Sequence, residues 1–451
     1  MTKSKPKHIN EKSGRPGRDN PRRLAAESLI KWERYDKYAG LETASVLGKA
    51  ELCPEDRRLY SALVYGVVER LLTLDYIIDT YSARPVGELE PEVRAALRLG
   101  VYQLLYMDRI PCHAAVFEST SLVPKRASGY VNGVLRAFIR GNMKYTLPDK
   151  ETQLLTYLSV KYSVPPELCG FLLSAYGAED AEGILSCSFG GDRLCLRVNT
   201  LKCSVFDASE RLAEMGVSAR ISQIASDVLV IPSGAQFLSG IEEGLWFVQD
   251  EASAAAVETL APEPGALVAD MCAAPGGKSF GCAIMMGNCG RVLSFDIHEN
   301  KLSLIRAGAE RLGISVIETG KGDARTPPEE LSGRADFVLC DAPCSGLGVM
   351  SKKPDIRYKP LSEIERLPQI QYEILCGASK CVRPGGVLMY STCTLNPEEN
   401  ERVFQRFAAE NTEFVPAPFN LAGYGEDGSA LLMPHKTGTD GFFISRFIRK
   451  A

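Results

Sequence analysis

A chain of 451 residues, 45% apolar and 24% charged, is long enough for about three domains at the usual ~150 residues each. Its 52 Lys and Arg against 56 Asp and Glu leave a net charge of −4, which excludes a nucleic-acid carrier acting through bulk charge and leaves only a local site. Fourteen cysteines form no C-x-x-C pair, the four histidines lie at no zinc-ligand spacing, and neither the start, MTKSKPKHINEKSGRPGRDNP, nor any later segment holds an apolar run of a leader or membrane span, so a cytoplasmic, metal-free protein with reduced thiols and no membrane contact is expected.

Residues 1–20 are rich in Lys, Arg, Gly, Pro and Asn and cannot offset ordering entropy by burial, so a disordered basic leader is expected there. From 21 to 144 the apolar pattern is helical. Leu59, Leu63, Val67 and Leu71 recur every four residues, and Val93–Met107 carries Leu97, Val101, Leu104 and Leu105 on one face before Ile110-Pro111. Asp75, His113 and Arg136 read as structural polar residues between helices. The stretches RLGVYQLLYMDRIPCHAAVFESTSL and YVNGVLRAF resemble the NusB family of helical RNA- and protein-binding modules, over about residues 21–140. That resemblance implies an RNA-docking role.

Residues 145–243 predict helices around Leu154–Tyr162 and Pro166–Tyr176, then strands at Cys195–Val198 and Val228–Ile231: a small mixed connector. Its RVNTLK segment offers Arg197, Asn199, Thr200 and Lys202 as donors for phosphate and sugar oxygens, although an ordinary strand edge accounts for them as well. From 244 to 451, the segments ALVADM, RVLSFDI, SVIETG, ADFVLCD, GVLMYSTC and GFFISRFI alternate with helix-length gaps, as in a βαβ sheet. The fold class is therefore an all-α domain, a mixed connector and a Rossmann-like α/β domain.

The first strand of the last domain runs into Asp270-Met271-Cys272-Ala273-Ala274-Pro275-Gly276-Gly277-Lys278-Ser279. A phosphate-binding P-loop would need glycine where Cys272 stands, and Pro275 removes an amide from the cradle. The dinucleotide pattern G-x-G-x-x-G is absent too. A backbone passing close to a ligand without a strong anion nest suits a methionine-plus-adenosine cofactor. Asp296 ends the second strand, where an acid accepts from ribose hydroxyls, and Asp323 in GDAR follows the third, where it can meet the adenine amino group.

The fourth strand ends in Asp341-Ala342-Pro343-Cys344 and the fifth in Ser391-Thr392-Cys393, so two cysteines sit above one crevice. Amino-nitrogen methyltransferases stack the base on an aromatic residue at the place held here by Cys344. Two cysteines instead suit carbon methylation, because C5 of a pyrimidine becomes nucleophilic only after a thiolate adds to C6. Cys53, Cys112, Cys169, Cys187, Cys282, Cys289 and Cys376 are expected to be buried and inert.

DMCAAPGGKS, DAPCSGLGVMSKKPD and YSTCTLNPEEN together resemble the RsmB/Sun family of RNA 5-methylcytosine methyltransferases, over about residues 145–451. With the NusB-like front end, the chain resembles the branch that methylates a cytosine of bacterial 16S ribosomal RNA. The resemblance implies Cys393 as nucleophile, Cys344 as the residue assisting product release, and an S-adenosylmethionine site at Cys272, Ala273, Ala274, Pro275, Gly276, Gly277, Lys278, Asp296, Asp323 and Asp341, with Asp341 also on the cytosine N3 edge. Ser351-Lys352-Lys353 stands where many relatives are Arg-rich. The expected partner is 16S ribosomal RNA and the expected state a monomer. A tRNA 5-methylcytosine enzyme would share the catalytic core but not the NusB-like front end. A silent RNA-binding assembly factor would have no use for two cysteines and a complete cofactor loop.

Overall fold

The computed structural model describes residues 19–35, 38–191, 193–234 and 238–451; the expected basic leader lies outside the described residues up to position 18. Asn20, assigned to that leader, instead caps the first helix, its Oδ1 accepting from the Arg22 and Arg23 amides at 2.9 and 3.1 Å. The chain forms two compact units, Met1–Pro166 and Glu167–Ala451.

The first unit is helical: α1 (Pro21–Tyr35), α2 (Ala39–Lys49), α3 (Pro54–Glu69), α4 (Leu71–Tyr81), α5 (Pro91–Tyr106), α6 (Cys112–Ser121), α7 (Lys125–Arg140) and α8 (Leu154–Tyr162). Proline at the first turn sets the start of α3 and α5, where its missing N–H has no intrahelical partner to lose. The four-residue repeat from Leu59 to Leu71 is not one helix, because Arg70 leaves helical geometry at φ −115°, ψ 20° and Leu71 opens α4. Leu63, Val67, Leu74, Ile77, Leu97, Val101 and Leu135 form the core. Buried Arg98 grips Asp75 through two hydrogen bonds, 2.7 and 2.8 Å, and reaches Glu33 at 3.3 Å, so its charge enters the core already paired. Helix α8 packs on α4, with Thr73 Oγ1 donating to Val160 O at 2.6 Å; the sequence pattern had placed it in the connector.

The second unit opens with α9 (Pro166–Ser186), broken at Gly177, whose φ of +76° only glycine adopts readily. A four-stranded antiparallel sheet follows in the order β2-β3-β1-β4, from β1 (Arg193–Val198), β2 (Arg220–Ile221), β3 (Val228–Pro232) and β4 (Trp246–Val248). Helices α10 (Val205–Glu214) and α11 (Leu238–Glu242) belong to it. Leu196, Val198, Leu212, Leu229, Ile231 and Trp246 make its core, and Ser204 with Asp207 forms a capping box on α10.

After α12 (Glu251–Leu260) comes the main sheet: β5 (Leu267–Asp270), α13 (Gly277–Met285), β6 (Arg291–Asp296), α14 (Glu299–Leu312), β7 (Ile317–Lys321), β8 (Ala335–Asp341), α15 (Leu367–Ser379), β9 (Val382–Thr392), α16 (Glu401–Glu410), β10 (Phe414–Pro416), β11 (Ser429–Leu432), α17 (Pro434–Thr437) and β12 (Phe442–Arg449). The order is β10-β12-β9-β8-β5-β6-β7, with β11 on β12. Strands β5 to β9 pair in parallel, and β12 closes on β9 antiparallel. Alternation along the strands sends Val268, Val292, Leu339 and Met389 toward α12, α13 and α14, and Ala269, Val338, Leu388 and Tyr390 toward α15 and α16. The edge pieces β10 and β11 were not foreseen from sequence.

Candidate active site

The sheet order reverses at β5, with β6 and β7 on one side and β8 and β9 on the other. Open α/β sheets bind ligands outside the carboxyl ends of their strands at such a switch. Asp270, Asp296, Asp341 and Thr392 are the last residues of β5, β6, β8 and β9.

Residues 271–276 run tightly from β5 into α13. The Ala273 amide donates to Phe295 O and the Gly276 amide to Ala273 O, both at 2.7 Å. The Ala274–Pro275 peptide is cis, and Gly276 has φ +112°, where a Cβ would also stand 2.5 Å from the Phe280 ring. Beneath the loop, Ser279 Oγ donates to Asp270 Oδ2 at 2.7 Å and accepts from Ser294 Oγ at 2.9 Å. Burial pushes the Asp270 carboxyl up to about 7, the Ser279 hydroxyl opposing and the Asp341 charge adding to it. Asp270 Oδ1 is buried without a hydrogen-bond partner. Asp296 accepts from the Ala274 amide at 3.3 Å and the His298 amide at 2.8 Å, which ties β6 to the loop.

Lys278, at the start of α13, donates from Nζ to Asp341 Oδ2 at 2.8 Å, and Ser391 Oγ donates to Asp341 Oδ1 at 2.8 Å. Asp341 is thereby fixed between α13 and β9, with about a third of its side chain still exposed. Burial raises the Cys272 thiol, and the charges of Asp270, Asp341, Asp296 and Asp323 add to it, so four carboxylates surround this cysteine. Asp323 is nonetheless engaged: Arg325 clasps it at 2.6–3.1 Å through Nε and Nη2 and holds its carboxyl below the usual range.

The two strand-end cysteines meet. Cys344 Sγ lies 3.3 Å from Cys393 Sγ. The hydrogen bond from Cys344 holds the Cys393 thiol below its ordinary value, against burial and Asp341, with Lys278 and Lys353 assisting. The same contact, then burial and the charges of Glu399 and Asp341, pushes Cys344 up. The pair is therefore unequal: a thiolate is favoured on Cys393 over Cys344.

Several expectations are corrected. Arg197 is fully buried, donating to Asp227 at 2.7 Å and Gln249 at 3.1 Å, and Asn199 donates to the Gly244 and Leu312 carbonyls. Lys202 Nζ donates to Glu243 O and Arg311 O, so of the RVNTLK donors only Thr200 faces solvent without such a commitment. These side chains bind the small sheet to its neighbours rather than a phosphate. Lys352 is also committed, to Asp250 Oδ2 at 2.6 Å and Asp440 Oδ2 at 2.7 Å; Lys353 is exposed, and its charge favours a thiolate on Cys393. Of the cysteines expected to be buried, Cys53, Cys112 and Cys289 are exposed, because they sit at helix starts and a turn, and Cys187 and Cys376 are half-buried. Glu399 and Gln371, to which no role was given, hold the cysteine loops from below.

Comparison with known proteins agrees with this geometry. The profile of the 16S rRNA methyltransferase RsmB/F family matches residues 257–448, that of the NusB family residues 19–140, and that of the RsmF/B-like ferredoxin-like domain residues 168–237. A probable ribosomal RNA small subunit methyltransferase B of Bacillus subtilis is 35% identical over 445 residues, covering 95% of this chain and 98% of that protein. The chain belongs to the RsmB family. An RsmB relative of the same description from Synechocystis is 34% identical over 95% of this chain and 99% of its own. The crystal structure of PH0851 superposes with a TM-score of 0.77 at 28% identity, over 95% of this chain and 98% of that one. A methyltransferase homologue from Pyrococcus horikoshii gives 0.59 at 29% identity, over 66% and 99%. The RsmB family accounts for the helical first unit, the small sheet and the α/β core in that order. Among the described residues no helix is long and apolar enough to cross a membrane, and no cluster of His, Cys, Asp and Glu suits a metal.

Proposed function

We propose that this RsmB-family chain methylates C5 of a cytosine in 16S ribosomal RNA from S-adenosylmethionine, through a covalent bond between Cys393 and C6 of the base. The observation that carries the reading is the 3.3 Å contact between Cys344 and Cys393 beside the Lys278–Asp341 pair. One sulfur is arranged to attack and the other keeps a proton.

The residues present fit the cofactor. S-adenosylmethionine supplies an electrophilic methyl group and carries positive charge at sulfur and amine, without phosphate. The tight Cys272–Lys278 loop, free of a phosphate nest, lets a ligand approach the backbone, while Asp296 and Asp341 line it with negative charge. Asp296 is the ribose acceptor in this reading and Asp323 the adenine partner, the latter sharing its carboxylate with Arg325.

Cys393 adds through its thiolate to C6, which turns C5 into a nucleophile able to take the methyl group. Asp341, held by Lys278 and Ser391, stands at the N3 edge of the ring. Cys344 then assists clearance of the adduct: once its own proton has passed to solvent, its thiolate takes the C5 proton, the electrons of that C–H bond re-form the C5–C6 double bond, and the sulfur–C6 bond breaks to return Cys393 as a thiolate. The NusB-like domain docks the RNA, and the enzyme acts as a cytoplasmic monomer.

Incubation with labelled S-adenosylmethionine and 16S or transfer RNA, followed by nucleoside analysis, tests this. Labelled 5-methylcytidine in 16S RNA is expected. Label only in transfer RNA would move the substrate, and none in either would leave an RNA-binding assembly factor.

A further inference from the structure

Glu399 lies in the turn between Cys393 and α16, and its side chain is fully buried. A buried carboxylate is costly unless donors surround it. Here Oε2 accepts from the Ser345 amide at 2.9 Å and from Gln371 Nε2 at 2.8 Å, and Oε1 accepts from Asn396 Nδ2 at 2.9 Å. Its own backbone carbonyl accepts from the Tyr390 hydroxyl.

These donors come from both catalytic loops. Ser345 follows Cys344 directly, and Gln371 also donates to Pro343 O at 3.0 Å, so the Pro343–Ser345 segment is held on both sides of the cysteine. Asn396 belongs to the loop that carries Cys393. A second link, Ser345 Oγ to Thr394 Oγ1 at 2.6 Å, spans the same gap. We propose that Glu399 is a positioning residue of the reaction, joining the two loops so that the Cys344 hydrogen is aimed at the Cys393 sulfur.

The inference rests on the two-cysteine reading and adds to it the device that makes the pair asymmetric. The contact with Cys393 and burial disfavour a thiolate on Cys344, and the Glu399 charge adds to them, which favours the proton there and the negative charge on Cys393. An amide in its place would turn an NH2 group toward the Ser345 amide, the Gln371 amide or the Asn396 amide, which are all donors. The loops would part or turn, and one charge that favours the proton on Cys344 would be gone.

The test is the pH dependence of iodoacetamide alkylation at Cys393, read by peptide mass spectrometry on the full chain, in wild type, Glu399→Gln, Glu399→Asp and Gln371→Met. Glu399→Gln should raise the alkylation midpoint by roughly one pH unit and lower methyl transfer at least tenfold, while calorimetric S-adenosylmethionine affinity stays within twofold. Glu399→Asp should recover part of the shift. Gln371→Met, which leaves the carboxylate in place, should move it in the same direction by less. An unshifted midpoint in Glu399→Gln and Gln371→Met would overturn the inference, as would loss of the folded state in both, which would make Glu399 a stability residue. Because alkylation needs no RNA, a shifted midpoint in a chain that never methylates RNA would leave Glu399 as the residue that sets the cysteine pair and sink the functional reading instead.

Discussion

Replacing Cys344 with alanine removes the hydrogen bond that the Cys393 sulfur receives across 3.3 Å. Hydrogen bonds to charged groups contribute about 1.5–3 kcal/mol, and a thiol is a weak donor, so the lower end applies. At about 1.4 kcal/mol per pKa unit, the Cys393 thiol should rise by roughly one unit. In the wild type Cys393 is held below its ordinary value, so its thiolate is lost as pH falls through that lowered value. In Cys344→Ala the same loss sets in at higher pH, and attack on the base slows on the acidic side of the profile. What attack remains should not clear, because the residue proposed to assist departure is gone. Time courses with labelled 16S RNA on denaturing gels, from pH 6 to 9.5, should show a slowly growing protein–RNA species that survives denaturation. Normal turnover without trapping would refute the role of Cys344. Trapping in Cys393→Ala instead would reverse the two assignments.

Asp270→Asn should flatten the stability profile between about pH 4 and 7. Burial pushes Asp270 up to about 7, so the folded state keeps a proton that the unfolded chain releases, and stability falls as pH rises through that window. Asp440, also raised to about 7 by burial, persists in both proteins, so denaturation at several pH values should show a reduced slope, and parallel curves would contradict it. Gly348→Ala would bring a Cβ to 1.9 Å from the Gly441 carbonyl oxygen, in a turn whose amide donates to Cys393 O at 3.1 Å. Overpacking of this kind costs about 1–3 kcal/mol; a lower unfolding midpoint and at least tenfold lower turnover are expected, and wild-type values for both would show that the turn can yield. Asp296→Ala should weaken S-adenosylmethionine binding by about 2–3 kcal/mol, roughly 30- to 150-fold by calorimetric titration, and an unchanged dissociation constant would remove Asp296 from the cofactor site.

The α/β core was legible because its strands are buried on both faces and read as short apolar runs ending in Asp270, Asp296, Asp341 and Thr392. The meeting of Cys344 and Cys393 followed from that placement, since adjacent parallel strands bring their carboxyl ends together. The RVNTLK donors stayed ambiguous in the sequence because residue type gives no direction: alternation along β1 turns Arg197 away from Leu196 and Val198, toward Asp227 and Gln249. Arg325 stands two residues from Asp323, yet nothing in their spacing says that the pair closes on itself. The break at Arg70 was hidden by an apolar period that continues from α3 into α4. Glu399 was invisible for a related reason, because its donors Ser345, Gln371 and Asn396 are dispersed in sequence and only the folded loops assemble them.

The central claim is a bond between Cys393 and C6 of the target cytosine, and 16S RNA carrying 5-fluorocytosine addresses it most directly, because fluorine at C5 cannot leave as the proton does. With S-adenosylmethionine present, the account predicts a denaturation-resistant complex whose digest shows a methylated fluoropyrimidine nucleotide on the Cys393 peptide. A nucleotide on the Cys344 peptide, or methylated RNA with no complex at all, would contradict it.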